Sequence, residues 1–260
     1  MSRRVILDSN KLARIAGNAR AKAEGKEAQL WPEEYCDGFD GLVKFLTDVV
    51  WTFDESEAIA KKLPMEKSYM VDALARPWYE TMETGRPFLC IKSRRMVASW
   101  TLRAMELWDA GRRRTTQILC HKTYPEAAEH VWRYYFIYEN IRKNNPSWRL
   151  PFRGRNHGVI GSLQQQQVSA FALTNGSLLK EANSDADNLQ GVGVTRITFE
   201  ELFKYKDPLG LFAQGKTICE GSATSKGGHL VAVTNSSSRT DVNPLRAKPG
   251  SLRSFYNAEE

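Results

Sequence analysis

Two short segments combine residue types that together can bind and cleave a phosphate anhydride. The first is Lys92-Ser93-Arg94-Arg95-Met96-Val97-Ala98-Ser99-Trp100. It separates an apolar run, Pro87 to Ile91, from a run with Ala98, Leu102, Met105 and Trp108 at helical spacing. Where a strand passes through a loop into a helix, backbone N–H groups and the helix dipole favour an anion. The usual loop of this kind reads G-x-x-x-x-G-K-[ST]. Here Lys92 fills the first slot, Val97 the second glycine slot, Ala98 the lysine slot and Ser99 the hydroxyl slot. The strict pattern is not met, but its chemistry is present. Lys92 brings the cation at the start of the loop instead of its end, Arg94 and Arg95 add positive charge, and Ser99 offers a hydroxyl to Mg²⁺. Without a ligand, the same residues read as a basic turn with a serine near a helix cap.

The second segment is Val194-Thr195-Arg196-Ile197-Thr198-Phe199-Glu200-Glu201. An apolar strand tipped by two carboxylates suits a first acid, Glu200, that helps hold Mg²⁺, and a second, Glu201, that orients the attacking water. A helix start is the other reading, because Glu is favoured in a first turn. A third segment, Gly221-Ser222-Ala223-Thr224, follows the run Lys216 to Cys219, read as a strand. Small hydroxylated residues at a strand end can approach a γ-phosphate; they also make ordinary Ser/Thr turns.

These segments need a scaffold that brings strand ends together. Strand-like runs at Pro87–Ile91, Thr116–Cys120, Val192–Phe199, Lys216–Cys219 and Leu230–Val233 alternate with long helical patterns. The second long helix carries Ala128, Val131, Trp132, Tyr135 and Tyr138 on one face and ends before Asn145-Pro146. Gly111 is expected to close the first. Asn175-Gly176 between Val168–Leu173 and Ser177–Lys180 marks a hairpin. Further upstream, Leu42–Val50 and Glu55–Lys62 read as helical patches. The alternation predicts an α/β fold, with a mostly parallel sheet flanked by helices on both faces. Ligands then gather at the carboxyl ends of the strands, so Lys92, Ser99, Glu200 and Glu201 should converge.

The chain has 260 residues, 42% hydrophobic and 26% charged, with a net charge of +7. That is enough for one sizeable domain with appendages, and the basic balance makes a polyanion partner plausible. The four cysteines and four histidines are scattered, with no CxxC pair, so neither a disulfide framework nor a His/Cys metal site is indicated. No apolar run approaches a membrane span, no signal peptide is evident, and an intracellular protein is the default.

Taken in order, these segments resemble the large terminase subunit of tailed bacteriophages over roughly residues 70–235. The likeness rests on the displaced basic residue of the Lys92 loop, Thr174-Asn175-Gly176-Ser177, Asp187-Asn188-Leu189-Gln190-Gly191, the acidic strand end, and Gly221-Ser222-Ala223-Thr224. Val97 in place of a glycine and Glu200 in place of the usual Asp depart from the family pattern. The resemblance implies a P-loop NTPase fold of the RecA-like, additional-strand type and an ATPase that drives DNA into a capsid. It implies ATP and Mg as cofactors, and double-stranded DNA, a portal protein and a small terminase subunit as partners. A homo-oligomeric ring when assembled, a monomer in isolation and a location in the host cell cytoplasm follow from it. Lys92 to Trp100 would bind ATP, with Ser99 and Glu200 on the metal, Glu201 catalytic, Arg94 and Arg95 catalytic in cis, and Gly221 to Thr224 coupling hydrolysis to motion. Tyr79, in Arg76-Pro77-Trp78-Tyr79, would contact adenine.

The expected organisation is an N-terminal arm and helical subdomain over residues 1–65, an ATPase domain over 66–235 and a linker or tail over 236–260. A terminase nuclease needs a carboxylate cluster; after Asn235 the acids are Asp241, Glu259 and Glu260, so no such domain is expected in this chain. Arg112-Arg113-Arg114 are candidates for an arginine finger in trans, and with Arg149, Arg153 and Arg155 for DNA phosphate contacts. Two other classes stay open: a degenerate P-loop module that binds DNA or assembles without turnover, and another nucleic-acid-dependent ATPase such as a helicase, which needs a second lobe.

Overall fold

A computed structural model describes residues 29–54, 57–66, 69–92, 97–151, 170–183, 194–221 and 228–235. Its centre is a six-stranded sheet in the order β3-β8-β7-β4-β6-β5. These strands are β3 (Phe88–Lys92), β4 (Thr116–His121), β5 (Ala170–Ala172), β6 (Leu178–Asn183), β7 (Arg196–Phe199) and β8 (His229–Asn235). A separate antiparallel pair, β1 (Trp51–Asp54) and β2 (Ile59–Lys62), precedes them. Every pairing in the large sheet is parallel except β5 with β6. The β5–β6 hairpin turns at Asn175-Gly176 as expected, with Gly176 at φ +88°, a left-handed backbone that glycine adopts freely.

The helices are α1 (Gly38–Asp48), α2 (Arg76–Thr84), α3 (Ala98–Arg112), α4 (Tyr124–Asn144) and α5 (Pro208–Glu220). Because side chains alternate along a strand, the sheet feeds two cores. Phe88, Cys90, Val231 and Val233 join the core built with α1 to α4. Leu89, Ile91, Ile197, Phe199, Leu230 and Ala232 join the core under α5. Helices therefore cover both faces, and β8 lies between β3 and β7.

Three local expectations are overturned. Lys216–Cys219 is not a strand but the last turns of α5, which starts from an Asp207 cap whose Oδ1 accepts from the Gly210 amide at 2.9 Å. Asp207-Pro208 is a helix-start signal, and a short apolar run inside a helix looks like a buried strand. Residues 59–62 of the helical patch at Glu55–Lys62 form strand β2, paired with β1. Gly111 does not close α3, which continues to Arg112. Its small size serves packing: a Cβ there would stand 2.1 Å from the Trp31 ring. Trp31 Nε1 donates to the Trp108 carbonyl at 2.9 Å, which fixes the N-terminal segment onto α3. Among the described residues, no helix is long and apolar enough to cross a membrane.

Candidate nucleotide site at the carboxyl edge of the sheet

The parallel strands β3, β4 and β7 all end at one edge, so Lys92, His121, Glu200 and Glu201 share it. Glu200 follows β7 directly, and its amide donates to the Cys120 carbonyl at 2.9 Å. β8 separates β3 from β7, which sets the Lys92 and Glu200 backbones about 10 Å apart laterally at the usual strand spacing.

Helix α3 is preceded by Val97, whose φ of +55° and ψ of 1° are left-handed. A β-branched residue rarely adopts that conformation; it is the conformation a glycine in this slot adopts at no cost. The helix then begins with no side-chain cap and no acid in its first turn. Its leading amides have no intrahelical partner, so this end presents donors and positive potential to an anion. Ser99, partly buried in the first turn, lies one turn before Arg103 on the same helix face.

The interface between α3 and β7 is lined with charge. Arg196, Thr198 and Glu200 alternate along the helix-facing side of β7 and meet Asp109, Glu106 and Arg103, spaced three apart on α3. Arg103 is fully buried (0% exposed), with Nε 2.8 Å from Glu106 and Nη2 3.3 Å from Glu200. Thr198 Oγ1 donates to Glu106 Oε1 at 2.5 Å, and the Tyr134 hydroxyl donates to the same carboxylate. Burial disfavours the Arg103 charge, but Glu106, Tyr134 and Glu200 outweigh it and raise its pKa. Glu200 is 2% exposed, and its Oε1 makes no well-formed hydrogen bond despite the nearby Arg103. One carboxylate oxygen thus retains capacity for a further ligand. Glu201 sits in a left-handed turn at φ 54° with its carboxylate 3.5 Å from Lys204.

Sequence reasoning missed two histidines here. The His121 ring stacks on His130 at 5.7 Å; His121 Nδ1 is 2.8 Å from Glu126, and His130 Nδ1 is 3.9 Å from Glu200. Burial, then the charges of Arg103 and Arg133, push His130 well below its ordinary range, so it is neutral. The usable signal was His121 at the end of a recognised strand; nothing in the sequence paired it with His130.

Other expected site residues are placed elsewhere. Tyr79 packs between Phe39 (5.6 Å) and Trp108 (6.2 Å) near the far end of α3. Trp108 is ten residues beyond Ala98, so Tyr79 is about 15 Å from the start of α3 at 1.5 Å per residue. That corrects its adenine role. Trp100 is also corrected: its ring is buried against Trp132 and Phe136, at 5.8 and 5.5 Å, so only its backbone is left for a ligand. Ala98 is buried at the helix start. Arg112 is held by Glu83 and Asp109 and lies 4.4 Å over the Trp108 ring, while Arg113 Nε donates to Asp109 at 2.8 Å. Those contacts anchor α3 and take up both guanidiniums; Arg114 is exposed beside Gly176, and Arg149 is exposed as well. Gly221 ends α5 instead of a strand, and the Cys219 carbonyl beside it accepts from the Gly228 amide at 2.7 Å where β8 begins, at the sheet edge opposite Glu200, away from the place a coupling role needs. Ser93, Arg94, Arg95, Met96, Arg153, Arg155, Ser222, Ala223 and Thr224, and the stretch Asp187 to Gly191, lie outside the described residues.

Among the described residues, no group of three or more His, Cys, Asp or Glu is placed to hold a metal ion. Ser99 and Glu200 carry oxygen donors of the kind a hard cation takes.

No protein-family model matches the chain, and no curated protein matches it. Among solved structures it is similar to the large terminase ATPase domain of Thermus phage P74-26, at 13% identity and a TM-score of 0.45, covering 65% of this chain and 74% of that one. It is similar to the N-terminal domain of the DNA packaging ATPase from bacteriophage phi29, at 13% identity and a TM-score of 0.43, covering 69% and 94%. It is also similar to the large terminase of a thermophilic bacteriophage, at 12% identity and a TM-score of 0.44, covering 73% of this chain and 45% of that one. The likenesses are remote.

Proposed function

We propose that this chain is the ATP-hydrolysing motor domain of a viral DNA-packaging machine. The observation that carries the ATPase part is the left-handed Val97 at the β3–α3 junction, on the same sheet edge as Glu200 and Glu201. A left-handed Val97 is a backbone that a glycine would suit better, at the position where a phosphate loop usually carries one. Strain of this kind is retained where the surroundings impose it.

In this reading Lys92, Arg94 and Arg95 neutralise the charge of the β- and γ-phosphates, Ser93 donates a hydrogen bond to them, and the amides of α3 cradle them. Ser99 and Glu200 hold Mg²⁺, which supplies charge neutralisation at the phosphates when bound. Glu201 orients the attacking water. The packaging part is supported by the ordered set of sequence segments and by the net charge of +7. Double-stranded DNA is the polymer moved, a portal protein and a small terminase subunit are the partners, and a ring of copies in the host cytoplasm is the working form.

ATP hydrolysis by the purified chain, with and without double-stranded DNA, tests this. Mg-dependent turnover stimulated by DNA is expected. Nucleotide and DNA binding without turnover would favour the degenerate module instead, which the Val97 and Glu200 departures make the specific second reading.

A further inference from the structure

We propose that Arg103 is a positioning residue that competes with a divalent cation for Glu200, and so sets how much Mg²⁺ the site needs. This rests on the nucleotide site proposed above and adds a part to it. Three observations carry it. Arg103 is fully buried, so its charge is not screened by solvent and must be balanced locally. It lies one turn below Ser99 on the same face of α3, so it reaches the acid that Ser99 would share a cation with. Its Nη1 is buried without a hydrogen-bond partner, and so is Glu200 Oε1.

Those two orphaned atoms show an unfinished pairing. Glu106 takes the guanidinium at two atoms, with Nε 2.8 Å away and Nη2 donating at 3.1 Å, while Glu200 stands 3.3 Å from the same Nη2 without a well-formed hydrogen bond. Glu106 is itself satisfied by Thr198 and Tyr134. Glu200 is the looser partner, and His130 beyond it is neutral and adds no charge. Glu200 can therefore turn toward a cation at the sheet edge while Arg103 stays balanced by Glu106. Binding of the cation has to overcome the Arg103 attraction, and its loss returns the carboxylate to α3. This exchange adds a ligand-dependent contact to the fixed Thr198–Glu106 and Arg196–Asp109 contacts that join the phosphate-loop helix to the acidic strand.

The test is the Mg²⁺ concentration that half-saturates binding of a fluorescent ADP analogue, measured for wild type and for the charge-balanced pair Arg103→Gln with Glu106→Gln. Removing the competitor should lower that concentration about tenfold, the equivalent of ~1.4 kcal/mol. In the Glu200→Gln background the same pair of changes should have no effect, a result that a packing role for Arg103 does not produce. If the paired variant does not fold, Arg103→Lys, which gives up the planar fork, should shift the midpoint in the same direction by about twofold. An unchanged midpoint in folded variants overturns the role of Arg103 while leaving the nucleotide site standing. A wild-type protein that binds no nucleotide at any Mg²⁺ concentration overturns both.

Discussion

Arg196 of β7 and Asp109 of α3 form an ion pair of 2.9 Å in which both side chains are 1% exposed. Arg196 also donates through Nε to His229 Nδ1 at 3.3 Å, and His229 Nε2 stands 3.1 Å from the Thr81 hydroxyl. Four elements meet at this point. Burial alone would raise the Asp109 pKa, yet Arg196 and Arg113 bring it down from 3.8 to about 2. The native state therefore binds fewer protons than the unfolded one between those values. The stabilisation, about 2 kcal/mol by linkage, is complete above pH 4 and is lost as pH falls toward 2. Asp109→Asn should cost about 3–5 kcal/mol near neutrality, because it strands a buried guanidinium. Urea melts of both proteins at several pH values should show the gap narrowing below pH 4; a constant gap would remove Asp109 as its source.

The histidines act at milder pH. Burial lowers His121, His130 and His229 below the ordinary 6.5, although Glu126 opposes the shift at His121 and Asp109 opposes it at His229. Below pH 6.5 the unfolded chain takes up protons that the folded one refuses, so stability should fall as the pH drops from 7 to 5. His130→Gln should flatten that slope. A slope of the same steepness in the variant would show that His130 is not among the groups responsible.

Gly111 and Trp31 give a packing test. With a built Cβ 2.1 Å from the indole, Gly111→Ala must displace the ring and should cost about 1–3 kcal/mol as an overpacking change. A shift in tryptophan emission should accompany it. A thermal melt identical to wild type would mean that Trp31 is not seated there.

Val97→Gly is expected to act in the opposite direction. It removes the left-handed strain of a β-branched residue, worth about 1–3 kcal/mol, against a smaller entropic loss for glycine. A gain of about 1 kcal/mol in denaturant unfolding is expected, and a loss would contradict the backbone assigned to the loop junction.

The sequence conveyed β3, α3, β4, α4 and the Asn175-Gly176 hairpin because apolar periodicity and turn chemistry are local signals. It misled at Lys216–Cys219, where four residues of a helix mimic a strand and the informative cap lies at Asp207, nine residues earlier. It also concealed the charged interface. Arg103, Glu106 and Asp109 fall between the apolar positions of α3, where charge ordinarily faces water; only the placement of β7 shows that they are buried against Arg196, Thr198 and Glu200. Tyr79 was misplaced for a similar reason, since proximity in sequence to the loop strand says nothing about which end of the sheet a preceding helix occupies.

The sheet edge bearing Lys92 and Glu201 is the proposed nucleotide site. The most direct measurement is the ATP hydrolysis rate of Lys92→Ala beside wild type, with circular dichroism to confirm that both are folded. Lys92 ends β3 with its side chain only partly buried, so its loss should leave the fold intact. Turnover is expected in wild type and none above background in the variant. Equal turnover in both proteins would contradict it.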